Sequence, residues 1–246
     1  MINAVMKFIG GLFFFLVCVI NSLSAYNLRQ VTNSDGLTSS AVLSLLQDSN
    51  GFLWMGTCDG VNIYDGTKAY SWNGWGQLNL SGYIIEEILE THDGVIWVQT
   101  NYGLSKVDKE KRLVVDYPQF KGSYMMVKNE LGNLFFFSSS NLLYAFNEKK
   151  QEFYRLPIGT LDREDIVNLY VNEHYLIIFL KNEIIYYQMK HSPEGEYTLS
   201  TINTSEKTEV RYGFGDKNQV YWLDKDYNLF GYSLDKPVKK LICNWK

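Results

Sequence analysis

The sequence predicts an all-β chain of repeats about forty residues long, the four-stranded antiparallel blades of a β-propeller. Three observations carry that reading. Residues 42–66 and 84–108 follow one pattern: apolar strand, polar turn with Gly, strand with Trp, Thr-x-x-Gly turn, strand, Asp. The segments between turns are short and rich in Val, Ile, Tyr, Phe and Trp, with 15% aromatics and only 4 prolines in the chain, a composition that suits a pleated surface. Asp-Gly and Asn-Gly pairs (Asp35-Gly36, Asn50-Gly51, Asp93-Gly94) punctuate them and supply the positive φ of tight hairpins. A helical solenoid of the same period fails because no sustained 3.6-residue periodicity is present.

Taken in order, residues 1–25 stand outside the fold. Lys7 precedes an apolar run over 8–20 (FIGGLFFFLVCVI), and 21–25 turn small and polar. That order reads as a secretory signal peptide or, if it is not cleaved, an N-terminal anchor; the run is shorter than the ~20 residues of a spanning helix. Either way the chain is expected outside the cytoplasm, in the periplasm or exported. Residues 26–246 form the propeller. Residues 26–31 (YNLRQV) read as a short strand. The first repeat follows, with a blade near 42–72, and the second near 84–117; Trp54 and Trp97 are equivalent at a spacing of 43 residues, as are Gly51 and Gly94, Thr57 and Thr100, Gly60 and Gly103. A weaker third copy near 124–156 places Phe135 at the Trp position. A fourth near 166–202 lacks the glycines, and a fifth near 210–243 runs through Val220-Tyr221-Trp222-Leu223. Trp54 and Trp97 are expected to pack between neighbouring blades. Each repeat already has a fourth strand, so the strand at 26–31 has no blade to complete, and five blades in an incomplete ring are expected.

Composition excludes several functions. A formal net charge of −4 with no basic run is a poor footprint for nucleic acid, which leans on Lys and Arg at phosphates. Cys58 and Cys243 show no pattern: an exported chain permits a bridge between them, and two free thiols are the alternative. No Cys/His spacing suggests a metal, and no cofactor motif or catalytic constellation of the GxSxG, HExxH or phosphate-loop kind is present, so no catalytic residue is assigned. Asp48, Asp65, Asp93 and Asp108 fall at turn positions and are expected to cap the turns. Glu86, Glu87 and Glu90 make an acidic strand, read either as a solvated cluster or as a cation site.

In an up-and-down blade, the loop between blades and the turn between strands two and three lie at the same end. That groups Trp72, Trp75, Tyr83, Asp59, Asn101 and Tyr102 on one face. Aromatic rings with nearby carboxylates and amides suit a sugar, whose ring face is apolar and whose rim is hydroxylated. These six residues are the candidate ligand-binding set. Interblade packing is the competing role for the two tryptophans.

Residues 35–42 (DGLTSSAV), 47–57 (QDSNGFLWMGT) and 59–66 (DGVNIYDG) resemble the two-component regulator propeller repeat. The opening of the chain is similar to the start of the periplasmic sensor region of Bacteroidetes hybrid two-component proteins. The motif is distinct in the first two repeats and faint beyond Asp108. The resemblance implies a propeller sensor of carbohydrate or glycan fragments, homodimeric in the assembled receptor. It also implies a second propeller, a β-sandwich, a membrane helix, a histidine kinase and a response-regulator region downstream, none of which these residues contain. A ligand-binding sensor module lacking the kinase, and not an enzyme, is the expectation; a secreted polysaccharide-active propeller enzyme and a protein-contact scaffold are the alternatives.

Overall fold

The computed structural model describes residues 29–72, 80–111, 113–202, 206–235 and 238–244. The chain divides into two units, 1–31 and 32–246. Of the first unit only 29–31 are described, and they form no strand. The signal or anchor segment and residues 26–28 of the expected opening strand lie outside the described residues.

The second unit is five four-stranded antiparallel blades, each a meander in sequence order. Blade one is β1 (Val42–Gln47), β2 (Leu53–Thr57), β3 (Gly60–Tyr64) and β4 (Ala69–Ser71). Blade two is β5 (Ile85–Glu90), β6 (Ile96–Thr100), β7 (Gly103–Asp108) and β8 (Leu113–Tyr117). Blade three is β9 (Tyr124–Lys128), β10 (Leu134–Phe137), β11 (Leu143–Asn147) and β12 (Glu152–Arg155). Blade four is β13 (Ile166–Val171), β14 (Tyr175–Leu180), β15 (Glu183–His191) and β16 (Tyr197–Thr201), and β17 (Glu206–Lys207) pairs with the start of β15. Blade five is β18 (Tyr212–Asp216), β19 (Gln219–Leu223), β20 (Asn228–Ser233) and β21 (Lys239–Asn244).

The first strands of successive blades pack on one another in the order β1, β5, β9, β13, β18. In blades one to four the first ladder carries a register shift. Such a bulge adds a residue and increases local twist. The turn chemistry is as the dipeptides required, with Gly51 at φ 87° and Gly94 at φ 76°. The capping aspartates act as expected. Asp48 Oδ1 accepts from the Asn50 and Phe52 N–H groups at 3.0 and 2.9 Å. Asp108 Oδ1 accepts from Glu110 and Lys111 at 3.1 and 2.9 Å. Asp65 accepts from both the N–H and hydroxyl of Thr67 and from the Lys68 N–H, which hold its carboxyl well below the usual range.

The core lies between blades, in four apolar clusters, one per interface. Trp54, Trp72, Val61 and Ile63 of blade one meet Ile85, Ile88, Ile96 and Val98 of blade two. Trp97 and Leu104 meet Met126, Leu134, Phe136 and Phe146 of blade three. Phe135 and Phe137 meet Leu169, Leu176 and Ile178 of blade four. Ile177, Phe179 and Tyr186 meet Val220 and Trp222 of blade five. Trp54 and Trp97 are thus interblade packing residues, as their mid-strand positions required. Trp222 faces blade four, so the residue at the Trp54/Trp97 position in blade five is Tyr221, paired across the first ladder with Phe214 as Trp97 is with Leu89. The five blades form an open arc.

Candidate functional site between blades one and two

Repeat chemistry builds this site twice, 43 residues apart. The Thr57 hydroxyl donates to the Gly60 carbonyl at 2.8 Å and accepts from the Asp59 N–H at 3.0 Å. The Thr100 hydroxyl does the same with the Gly103 carbonyl (3.2 Å) and the Tyr102 N–H (3.1 Å). Each threonine therefore tightens its two-residue turn and aims the residue before Gly outward.

The incoming loop is tied to both turns. The Gly60 N–H donates to the Tyr83 carbonyl at 2.7 Å, and the Asn101 N–H donates to the Ile84 carbonyl at 3.1 Å. The Ile84 N–H returns a bond to Asn101 Oδ1 at 3.3 Å, and the Ser81 N–H donates to Ser105 Oγ at 3.2 Å. Gly82 makes the close approach possible, because a Cβ there would stand 2.5 Å from Asn101 Oδ1 and 2.7 Å from Thr100 Oγ1. The backbone is consumed in these bonds, and the side chain of Tyr83 is left facing solvent.

The result is a cleft of about 410 Å³ lined by Asp59, Tyr83, Tyr102 and residues 80–82 with Gly60. Tyr83 is 55% exposed and Tyr102 43%, and their ring centroids lie 6.4 Å apart at 47°. Two exposed aromatic rings in contact within one lining are an apolar platform with hydroxyl tips. Lys121, from the loop before β9, places its ammonium 4.7 Å from the Tyr102 ring centroid. Asp59 and the two tyrosines thus line the cleft, and the Lys121 cation stands against the Tyr102 ring.

Of the six candidates, Asp59, Tyr83 and Tyr102 come together here. Asn101 adjoins the cleft, but its amide oxygen is engaged in holding the loop. Trp72 does not belong to this surface. It is 2% exposed, its ring lies 5.3 Å from that of Trp54, and it packs in the cluster between blades one and two. A large apolar side chain following the last strand of a blade is worth more against the next blade than in water, and packing decided between its two readings. Trp75 lies outside the described residues. Lys121 was missed in the sequence because it sits 19 residues beyond Tyr102; only the turn into blade three brings it back.

A second polar assembly occupies the opposite end of the same interface. The Lys109 ammonium lies 3.1 Å from Asp48 Oδ2 and 2.7 Å from Glu90 Oε1. Trp54 Nε1 donates to Asp48 Oδ2 at 2.9 Å, and the Ser49 N–H and hydroxyl donate to Glu90 at 2.7 and 2.8 Å. Burial opposes ionisation of Asp48, but hydrogen bonds from Trp54 and Lys109, with the Lys109 charge, outweigh it and lower its pKa. For Glu90, burial is again outweighed, by bonds from Lys109 and Ser49. The acidic strand does not act as one cluster. Glu90 turns to Lys109, Glu86 accepts from Gln99 Nε2 at 3.0 Å, and Glu87 stands near Ser44 Oγ at 3.5 Å, its carboxyl pushed up by burial. Among the described residues no group of three or more Asp, Glu, His or Cys could hold a metal ion. Cys58 and Cys243 are both free thiols.

These features define an open β-propeller with a solvent-facing cleft over its first blade junction. Residues 36–59 match the family described as two component regulator propeller, which places that repeat in blade one, where the residue pattern had placed it. Solved structures share the fold. The extracellular domain of a proposed hybrid two component system from B. thetaiotaomicron matches at TM-score 0.55 and 15% identity, over 89% of this chain and 37% of that one. Virginiamycin B lyase from Staphylococcus aureus matches at TM-score 0.56 and 11% identity, over 88% and 74%. An auxiliary nutrient binding protein from Bacteroides thetaiotaomicron matches at TM-score 0.51 and 9% identity, over 82% and 57%. The chain spans 37% of the two-component neighbour's length. No curated protein matches the sequence.

Proposed function

We infer that this chain is the ligand-binding propeller part of an extracytoplasmic sensor, and that its ligand is a carbohydrate or glycan fragment held in the cleft between blades one and two. The observation that carries the reading is the pair of exposed, adjoining tyrosines, Tyr83 and Tyr102, that line one cleft together with Asp59. The cleft volume falls within the ~300–1,000 Å³ common for small-molecule sites. A sugar ring would stack on either tyrosine, and the carboxylate and phenol groups would pair with its hydroxyls. The regulator-propeller repeat in blade one supports a sensing role over catalysis. The likeness to a lyase, at 11% identity, reaches no further than the fold. In this reading the module is exported, no helix among the described residues being long and apolar enough to cross a membrane. The signal is then relayed by domains beyond the propeller in a dimeric receptor.

The test is a panel of oligosaccharides measured by calorimetry against the wild type, Tyr102→Ala and Tyr83→Ala, with Trp75→Ala as a third arm. A binder should emerge whose affinity falls at least ~10-fold in the tyrosine variants, about the 1.4 kcal/mol expected when a stacked ring is lost. Unchanged affinity in folded tyrosine variants removes the cleft as the site. Product release from any oligosaccharide would replace the sensor by an enzyme.

A further inference from the structure

At the junction of blades two and three, two buried polar atoms have no hydrogen-bond partner among the described residues: Gln99 Oε1 and Ser123 Oγ. Gln99 is 2% exposed and Ser123 1%. Folded proteins pair nearly all such groups with protein, water or an ion. Packing does not call for a polar side chain at this depth. Gln99 stands two residues beyond Trp97, and the position two beyond the equivalent residue is Gly56, Phe137 and Phe179 in blades one, three and four. The orientation of the amide is fixed. Its Nε2 donates to the Glu86 carboxylate at 3.0 Å and to the Ser123 carbonyl at 2.6 Å. Both partners only accept, so a flipped amide would set oxygen against oxygen. Oε1 is therefore an acceptor left over, and Ser123, whose carbonyl holds the amide, has its hydroxyl left over as well.

We propose that Gln99 Oε1, Ser123 Oγ and the Glu86 carboxylate bind a calcium ion that staples blade two to blade three. The donors are all hard oxygens, one charged and two neutral, which suit calcium and not zinc or softer metals. This set differs in kind from a group of three or more acidic, histidine or cysteine side chains, which is absent among the described residues. The distances allow it. The oxygen and nitrogen of one amide lie about 2.2 Å apart, which puts Oε1 within about 5 Å of both the Ser123 carbonyl and the nearer Glu86 oxygen. Calcium, at ~2.3–2.6 Å from each ligand, bridges oxygens up to that separation. Solvent does not reach Oε1 or Oγ, and a bare calcium ion approaches oxygen more closely than water does, at about 2.7–2.8 Å. Glu86 is exposed, so the ion enters from its side and completes its shell there with water. Magnesium fits less well, because it demands a near-ideal octahedron at ~2.1 Å. A single carboxylate sets a weak affinity, with a dissociation constant of roughly 0.1–1 mM, the range of extracellular calcium modules.

Calcium calorimetry and terbium luminescence on the full chain, at constant ionic strength, test it. Calcium should bind saturably, and magnesium at the same concentration at least ~10-fold more weakly. Terbium, which takes the same oxygen ligands, should show emission sensitised through Trp97, two residues from Gln99, and calcium should displace it. Glu86→Gln, at an exposed side chain, should weaken calcium binding at least ~10-fold through loss of the charged ligand. Ser123→Ala should weaken it in the same direction; if that variant loses its β-sheet circular dichroism, Glu86→Gln alone decides. Glu110→Gln, an exposed carboxylate at the opposite end of blade two, should bind as the wild type does. A wild type with no saturable calcium binding up to about 10 mM, well above the range of extracellular modules, overturns the proposal. So does undiminished binding in folded Glu86→Gln. So does a loss in Glu110→Gln equal to that in Glu86→Gln, which would mean that calcium gathers on surface charge.

Discussion

Lys109 holds a position where its charge cannot be spared. Its side chain is mostly buried, and the Asp48 carboxylate it meets is almost entirely so. Removing one member of such a group leaves an uncompensated buried charge, at a cost of about 3–5 kcal/mol. Lys109→Ala should lower unfolding stability in urea by that order, and Asp48→Asn with Glu90→Gln in the same background should recover most of the loss. The same residues set an acid limit. Asp48 and Glu90 have folded pKa values below their ordinary values of 3.8 and 4.5, so both bind protons more tightly when unfolded. Their stabilisation is complete above the unfolded values and is lost as pH falls through the ordinary range towards the lowered one. Stability measured from pH 7 to pH 3 should fall steeply below about pH 4.5. In Lys109→Ala the slope should flatten; an unchanged slope would place the acid sensitivity elsewhere. None of this network was legible in sequence, since Asp48 and Lys109 stand 61 positions apart. What sequence did show was the local half, Asp48 as a turn cap.

At the scale of the element, a strand's worth depends on whether both sides of its blade are covered. Trp97 is buried between blades two and three, among Phe146, Phe153 and Tyr117. Trp97→Ala should cost about 3–5 kcal/mol. Tyr221 has the same place in blade five with no successor, so Tyr221→Ala should cost about 1 kcal/mol or less. Equal losses at the two positions would mean that the outer face of blade five is covered in solution. Polar pins also cross every interface: the Ile88 N–H donates to Ser44 Oγ at 3.0 Å, Gln99 Nε2 to the Ser123 carbonyl at 2.6 Å, Asn129 Nδ2 to Tyr197 Oη at 3.0 Å, and Asn168 Nδ2 to the Gly213 carbonyl at 2.7 Å. Blade five fits against blade four through small residues. Cβ atoms at Gly213 and Gly215 would stand 2.2 and 2.3 Å from the rings of Phe179 and Tyr170. The repeat's strands were readable from alternation and turn dipeptides. The facing of Trp222 was not, because alternation states that neighbours point oppositely and leaves open which neighbour points forward.

At the scale of the whole molecule, blades contact only their neighbours, and an open arc behaves as a short solenoid in which stability is a sum of blade and interface contributions. Among the described residues, blades two to four each have two neighbouring blades, while blades one and five have one. Native-state hydrogen exchange should therefore protect the β5–β7, β9–β11 and β13–β15 amides most, with β18–β21 opening at lower free energy. Uniform protection across the five blades would indicate a closed or capped assembly instead. The sequence by itself determined the class, the five blades and the turns, because each depends on local chemistry: a period of strands, a Gly at positive φ, an Asp over its own backbone. It also brought Asp59, Tyr83 and Tyr102 to one end, since an up-and-down meander sends alternate turns the same way. Tertiary structure alone decided that Trp72 packs inward, that Lys121 borders the cleft, that Lys109 neutralises two carboxylates, and that Leu45 and Phe214 remain uncovered. Those outcomes depend on which blade lies next to which, and on burial competing with hydration between residues far apart in the chain.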